Sequence, residues 1–351
     1  MTLTTLLGID HPIICAPMGG GLSTPELVAA VSNAGAMGAF PGAYLTPQSL
    51  AESLRAIRAL TARPINVNLF AGGYDAHPTG GGEAMLALLA PVHERLGIAP
   101  PSLPVVPPDP FDAQLEVILE AKPRAFSFTF GIPSAGALDR VRRAGVVIIG
   151  TATTAEEGRL LSEAGVDAIV AQGSEAGAHR GTFTGDFEAA MVPTLELVRQ
   201  LVAATKTPVI ASGGLMDGSD IAAALRAGAA AVQLGTAFLL CDEAGTPPAY
   251  RQAIRDARVD TTVITRAFSG RPARGIANEW IERMRGHEEA ILTFPQQNSL
   301  TRPMRAAAAQ KGEAGFLSLW AGTAASRARA MPAAQLVRTL AAELADAISR
   351  G

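Results

Sequence analysis

One histidine of the chain stands in a loop whose residues could do chemistry. Gly173-Ser174-Glu175-Ala176-Gly177-Ala178-His179-Arg180-Gly181 directly follows an apolar run that ends at Gln172. An imidazole placed there can take or hold a proton near neutral pH. His11, His77, His93 and His287 lie in no comparable motif. The plainer alternative for His179 is a loop histidine that caps a helix or faces solvent. Glu175 is either a supporting carboxylate or a local cap. No second His or Cys lies nearby at ligand spacing, so no metal site is expected.

Two glycine loops point to a different chemistry. The first reads Ala211-Ser212-Gly213-Gly214-Leu215, followed by Asp217 and helical text; the second reads Gln233-Leu234-Gly235-Thr236-Ala237. Glycines let the backbone approach an anion closely and present its N–H groups. In an eight-stranded α/β barrel, loops after the seventh and eighth strands commonly hold a phosphate, helped by a helix N-terminus. Glycines that only make tight turns are the alternative. The three lysines, Lys122, Lys206 and Lys311, lie outside both loops. Backbone amides would then do the holding, and the paired loops suggest a phosphorylated cofactor. Asn68, Gln172 and Gln233 add three carboxamides in or at the ends of apolar runs, where each needs partners. Together they suit a ring with mixed donors and acceptors, such as a flavin. Each could instead be a satisfied structural amide, as could Asn66, which alternates with Asn68 on one face.

These residues need a scaffold, and the apolar runs supply one. Eight runs read as strands: Ile13–Met18, Ala36–Phe40, Ile65–Phe70, Ala125–Phe130, Val146–Gly150, Ala168–Gln172, Pro208–Ser212 and Ala231–Leu234. Most are unbroken rather than alternating, as strands buried on both faces are. Helical text separates nearly all of them. Pro25–Ala34 and Pro47–Leu60 start on a proline. Thr154 with Glu157 forms a capping-box pattern, and Asp217 is placed to cap Ser219–Ala227. The expected fold is an α/β TIM (β/α)8 barrel with a smaller, mainly helical accessory domain. A doubly wound open sheet is the alternative, but no G-x-G-x-x-G follows the first strand. We assign residues 1–240 to the barrel, with a Gly/Pro-rich insertion at 72–110 that is either a lid or a tolerated loop. Residues 241–331 are assigned to a substrate or lid domain. Residues 332–351 form a last helix that packs back on the barrel, with Leu336, Leu340, Leu344 and Ile348 on one face.

Composition agrees with a folded globular protein. The chain has 351 residues, 48% hydrophobic and 17% charged, enough to bury a large core. Its net charge of −3 gives no footprint for nucleic acid or an acidic membrane surface. Cys15 and Cys241 cannot build a disulfide framework, and we read both as reduced and the compartment as cytoplasmic. Residues 1–12 lack the basic and apolar regions of an export signal. Residues 221–241 imitate a membrane span, but Gly228 and Gly235 break the stretch into a buried helix and a strand.

The motifs together resemble a known family. Ala16-Pro17-Met18-Gly19-Gly20, Pro25-Glu26-Leu27, Ser32-Asn33-Ala34-Gly35, Asn66-Val67-Asn68-Leu69-Phe70, Gln172 to Gly181, Ser212-Gly213-Gly214 and Gln233 to Thr236 resemble nitronate monooxygenases. Gln297-Asn298-Ser299-Leu300-Thr301 and Ser318-Leu319-Trp320-Ala321-Gly322 extend the resemblance. It implies FMN at the C-terminal face of a barrel, closed over by a second domain. The implied FMN contacts are Asn68, Gln172, Gly177, Gly213, Gly214, Gln233, Leu234, Gly235 and Thr236, with Ala16, Pro17 and Met18 along the ring. The implied catalytic residue is His179. The implied reaction oxidises an alkyl nitronate, or a nitroalkane, with O2 to a carbonyl compound and nitrite through a flavin semiquinone. A homodimer is an open option. The alternative within the superfamily is an NAD(P)H-dependent FMN reductase of quinones or enoyl thioesters. Some relatives of that kind carry a lysine near the end of the fifth strand, where this chain has Gly150-Thr151. The family's substrate-side tyrosines are replaced here by the stretch Phe294 to Asn298.

Overall fold

The computed structural model describes residues 1–72, 82–105 and 108–350. In chain order its strands are β1 (Ile13–Cys15), β2 (Gly38–Pro41), β3 (Ile65–Phe70), β4 (Ala125–Thr129), β5 (Val147–Ala152), β6 (Ala168–Gln172), β7 (Ala178–His179), β8 (Val209–Ser212), β9 (Ala231–Leu234), β10 (Thr262–Thr265) and β11 (Ala273–Ile276). Eight of them form one parallel sheet in the order β1-β9-β8-β6-β5-β4-β3-β2. The sheet closes on itself where Cys15 N–H donates to Met37 O at 2.9 Å and Met37 N–H donates to Ile13 O at 3.0 Å. This is a TIM barrel, and all eight expected runs are its strands. Ile14, Met37, Val147, Ile149, Val170 and Ile210 fill the interior, and Leu3 and Leu7 of the first helix plug the end where the strands begin.

The helices between the strands start where their caps dictate. Thr24 and Thr46 accept from the N–H groups of Leu27 and Ser49, with proline at the first helical position behind each. Thr154 caps the helix Ala155–Glu163 by accepting from Glu157 N–H, but the expected box does not close. The Glu157 side chain is turned to another task, described below. Asp217 caps the helix Gly218–Arg226, and here Asp220 completes a capping box. Burial raises the Asp217 carboxyl, but donation from the Ser219 hydroxyl, the Asp220 N–H and Arg327 outweighs it and holds the group at about 2.

The chain after β9 builds a second apolar cluster over the barrel mouth. Tyr250, Phe268, Trp280, Met304 and Phe316 form it with Met85, Leu89 and Val92 of the helix Glu83–Arg95. The segment 72–110 therefore contributes a packed helix here. Residues 73–81 and 106–107, including Gly80, Gly81 and Pro107, lie outside the described residues, and the lid reading falls partly on them. Helices Pro248–Arg255, Glu279–Arg283 and Gln296–Lys311 fit the helical expectation. A three-stranded sheet, β10-β11-β7, was not expected. The Thr-Val-Ile-Thr text of β10 is β-branched and carried that signal.

The last helix runs Ala333–Ser349, and Leu336, Val337, Leu340 and Leu344 pack against the outer barrel cluster. Ile348 is 59% exposed, so the apolar stripe ends one turn earlier than its spacing suggests. The stretch 221–241 resolves into parts of a helix and a strand, and no described helix is long and apolar enough to cross a membrane. Leu340 is fully buried. Leu340→Ala should cost about 2–5 kcal/mol by leaving a cavity between this helix and the barrel. A loss of unfolding free energy below about 1 kcal/mol in denaturant titration would show that the helix is not structurally coupled to the barrel.

Candidate active site at the barrel mouth

The loop after β6 is held by groups that are themselves buried. Glu157 is fully buried, and one carboxylate oxygen accepts from Thr153 N–H at 2.6 Å and the Thr153 hydroxyl at 2.7 Å. The other accepts from the N–H groups of Phe183 at 2.5 Å and Thr184 at 3.0 Å. Arg180, 1% exposed, donates to the carbonyls of Gly173 at 2.5 Å, Gln172 at 2.9 Å and Ala190 at 3.0 Å. Burial lowers its guanidinium to about 10, so it stays charged. Glu175 accepts from Thr194 N–H at 2.8 Å and its hydroxyl at 2.7 Å, which ties the loop to the next helix. Gln172 donates to His179 O at 2.9 Å and accepts from Gly181 N–H at 2.7 Å. Its amide was expected to meet a cofactor ring; the structure engages both ends of it in holding this loop.

The loop then leaves the barrel and joins the second sheet. Ala178 and His179 pair antiparallel with Arg274 and Ala273 of β11. Ala178 is left-handed at φ 64°, a conformation that costs a non-glycine residue and here aims the next side chain.

That side chain faces a cavity of about 540 Å³. Every residue singled out above for the cofactor lines it: Ala16, Pro17, Met18, Asn68, Gln172, Gly177, Gly213, Gly214, Gln233, Leu234, Gly235 and Thr236, together with His179. Asn68 Nδ2 donates to Ser127 Oγ at 2.9 Å, and Asn66 does the same at 2.8 Å. Only Asn68 of the two lines the cavity; Asn66 is the structural one, with its Oδ1 left without a partner. The helix N-terminus after β8 is occupied by the Asp217 carboxylate, so it does not supply the anion site expected of it. The loop glycines do offer donors. Among the described residues, no protein acceptor takes the N–H of Gly213, Gly214 or Gly235.

The wall around His179 is aromatic and positively charged. Phe130, Phe294 and Trp320 place their rings 5.9, 6.0 and 5.6 Å from the imidazole. His179 Nε2 lies 2.8 Å from Ser269 Oγ. Arg271 stacks on Phe130, 3.8 Å from its ring centre, and donates to Thr182 O. Arg305 donates to Asn298 O at 2.7 Å and Oδ1 at 2.9 Å, while its buried Nε has no partner. Burial first, then the charges of Arg271 and Arg305, push His179 down to about 3. The imidazole is neutral at neutral pH. Arg302 also lines the cavity, and no Asp or Glu is among its described lining residues. Ser127, Ser269, Arg271, Arg302 and Arg305 were not anticipated from the sequence. Arg302 and Arg305 follow Gln297-Asn298 at helical spacing, so one signal was present; Ser269 and Arg271 sit in a turn without a motif.

A barrel with such a mouth belongs to a recognisable class of oxidoreductase. A family model described as nitronate monooxygenase matches residues 1–343. The nitronate monooxygenase of Paraburkholderia phytofirmans is 42% identical over 356 aligned residues, covering 99% of this chain and 96% of that protein. A nitroalkane oxidase crystal structure from Streptomyces ansochromogenes superposes with a TM-score of 0.92 at 40% identity, covering 99% of both chains. FabK from Thermotoga maritima follows at a TM-score of 0.79 and 27% identity, covering 100% of this chain and 98% of that one. The chain belongs to the nitronate monooxygenase family.

The Glu157 contacts define a test of the loop. Glu157→Gln would turn an amide N–H2 toward groups that are all donors, leaving at least one buried N–H or O–H unpaired. We expect a loss of about 2–4 kcal/mol in stability, read by denaturant unfolding. A change below about 0.5 kcal/mol would show that the loop does not depend on this carboxylate.

Proposed function

We propose that the protein oxidises alkyl nitronates with O2, using FMN, to a carbonyl compound and nitrite. The observation that carries this reading is the charge of the cavity. Arg302 and Arg305 line it, Arg271 lies behind Phe130, His179 is neutral, and no carboxylate is among its described lining residues. A nitronate is an anion and gains from such surroundings.

The glycine loops fit a phosphorylated flavin. Gly213 and Gly214 have φ of 131° and 70°, and a Cβ on Gly214 would stand 3.0 Å from Glu175 Cβ. The free N–H groups of Gly213, Gly214 and Gly235 are the donors a phosphate needs where no lysine is near. Asn68, Gly177 and the stretch Gln233 to Thr236 would hold the cofactor, with Ala16, Pro17 and Met18 along its ring. When bound, FMN would supply the electron acceptance and the reaction with O2. His179 would hold the nitronate oxygens through a ring N–H. The rings of Phe70, Phe130, Phe294 and Trp320 would exclude water around them.

The same electrostatics ranks the substrates. A neutral nitroalkane requires removal of its α-proton, and His179 would have to become an imidazolium beside Arg271 and Arg305. We therefore favour the preformed nitronate. The reductase reading has the likeness to FabK, but β5 carries Gly150 and Thr151 where the resemblance places a lysine in some reductases. Purified protein should consume O2 with ethyl nitronate and need no NAD(P)H. Rapid anaerobic bleaching by NADH, with no response to the nitronate, would transfer the assignment to the reductase.

Two further outcomes follow from the same groups. With His179 near 3, its protonation lies below the neutral range, so kcat/KM for the nitronate should show no histidine inflection between about pH 5 and 8. A step near 6.5 would mean that the imidazole titrates as an ordinary exposed one. Gly214→Val should lower thermal stability and flavin occupancy together, since its Cβ would press on Glu175 Cβ at a φ of 70° that a β-branched residue tolerates poorly. Heat-released flavin from the wild type should be FMN on chromatography, and FAD there would overturn the cofactor assignment.

A further inference from the structure

We propose that Ser269 is a positioning residue whose hydroxyl, by donating to Nε2, supports the tautomer in which His179 presents an Nδ1–H to a bound anion. The inference rests on the nitronate reading above. Two acceptors compete for one hydroxyl proton. His179 Nε2 lies 2.8 Å from Ser269 Oγ, and the Arg271 carbonyl oxygen lies 3.1 Å from it. The same Oγ accepts from Arg271 N–H at 3.3 Å, so the hydroxyl is fixed in place by the turn on which it sits. Ser269 is 1% exposed, which leaves little room for water to compete.

The choice of acceptor has a chemical consequence. If the hydroxyl proton points to the Arg271 carbonyl, Nε2 must carry the ring proton and donate to Oγ. Nδ1 then offers a lone pair. If the hydroxyl donates to Nε2, the ring proton sits on Nδ1, which becomes a donor. Nδ1 makes no hydrogen bond to protein among the described residues, so it is the nitrogen left for a bound molecule. A lone pair aimed at an anion is repulsive, and an N–H is attractive. Binding of a nitronate therefore selects the arrangement in which Ser269 donates to Nε2. Phe130, Phe294 and Trp320 give the ring no other polar partner. Ser269 is thus the group that can stabilise the donating tautomer without putting a second charge beside Arg271 and Arg305.

The test reads the tautomer directly. Holoenzyme labelled with ring-¹⁵N histidine is examined by NMR with nitrite, the product anion, as probe, and His179→Asn assigns the His179 signals. In the wild type, nitrite should leave Nδ1 protonated and Nε2 unprotonated. In Ser269→Ala the share of His179 protonated at Nδ1 should fall, while Ser269→Thr, which keeps the hydroxyl, should restore it. Turnover of ethyl nitronate gives an independent readout. Ser269→Ala should lower kcat/KM by about tenfold, Ser269→Thr should stay within about twofold of wild type, and adding Ser269→Ala to His179→Asn should cost nothing further. An unchanged tautomer in Ser269→Ala, or an equal loss in the His179→Asn background, would overturn the proposal. The NMR arm needs no nitronate oxidation, so a failure of the nitronate reading shows separately, as a wild type that orders its tautomer but consumes no O2.

Discussion

The buried carboxylate of Glu157 is the group on which the candidate site depends. It gathers four donors from two places in the chain, the turn after β5 and the strand-like stretch after His179. A fully buried charge is tolerated only where every lone pair is used, and Glu157 meets that condition. Arg180 donates to three carbonyls from the other side, with its buried Nε left without a partner. Between them the loop from Gly173 to Thr184 has few other conformations available. Its left-handed Ala178 can be held against strain because both flanks are fixed.

That rigidity matters because the loop crosses from one core to another. The barrel supplies Gln172 at its root, and the second sheet takes Ala178 and His179 as an edge strand. His179 is therefore set by both cores at once. Within the accessory cluster Tyr250 donates to the Trp320 carbonyl and so holds one of the rings beside the imidazole. A histidine placed in this way can be surrounded by phenylalanine and tryptophan on the accessory side while glycine loops on the barrel side stay open to a cofactor. The division of labour also explains the electrostatics. Arg271 and Arg305 come from the accessory chain, and their charge acts on a group the barrel loop delivers.

How much of this was legible in the sequence follows from what carries each feature. The barrel strands were readable because fully buried strands are unbroken apolar runs, and their Gly and Pro punctuation is local. The candidate cofactor wall was readable because glycine pairs and amides at strand ends have a chemical meaning at their own positions. Glu157 was misread for the opposite reason. Thr154 and Glu157 have capping-box spacing, but the partners that outbid the cap, Phe183 and Thr184, are remote in sequence. The loop partners of Gln172 were not legible either, since His179 and Gly181 lie across a turn that spacing does not describe. Arg271 and Ser269 carried no signal at all. Their position comes from the β10-β11 hairpin, which the Arg-rich text around it concealed.

The remote contacts also account for the chemistry that local reading left open. A histidine in a glycine-rich loop is equally compatible with a base and with a hydrogen-bond donor. What separates the two roles is the cost of a second positive charge, and that cost is set by Arg271 and Arg305, both more than ninety positions away in the chain. Desolvation and like charge act in the same direction on the imidazolium of this half-buried residue, so neither has to be large alone. On the reading proposed above, a site built this way would give up proton removal in favour of holding an anion. The trade is consistent with a substrate that arrives already deprotonated, and it leaves the neutral imidazole free to act through whichever N–H its neighbour Ser269 allows.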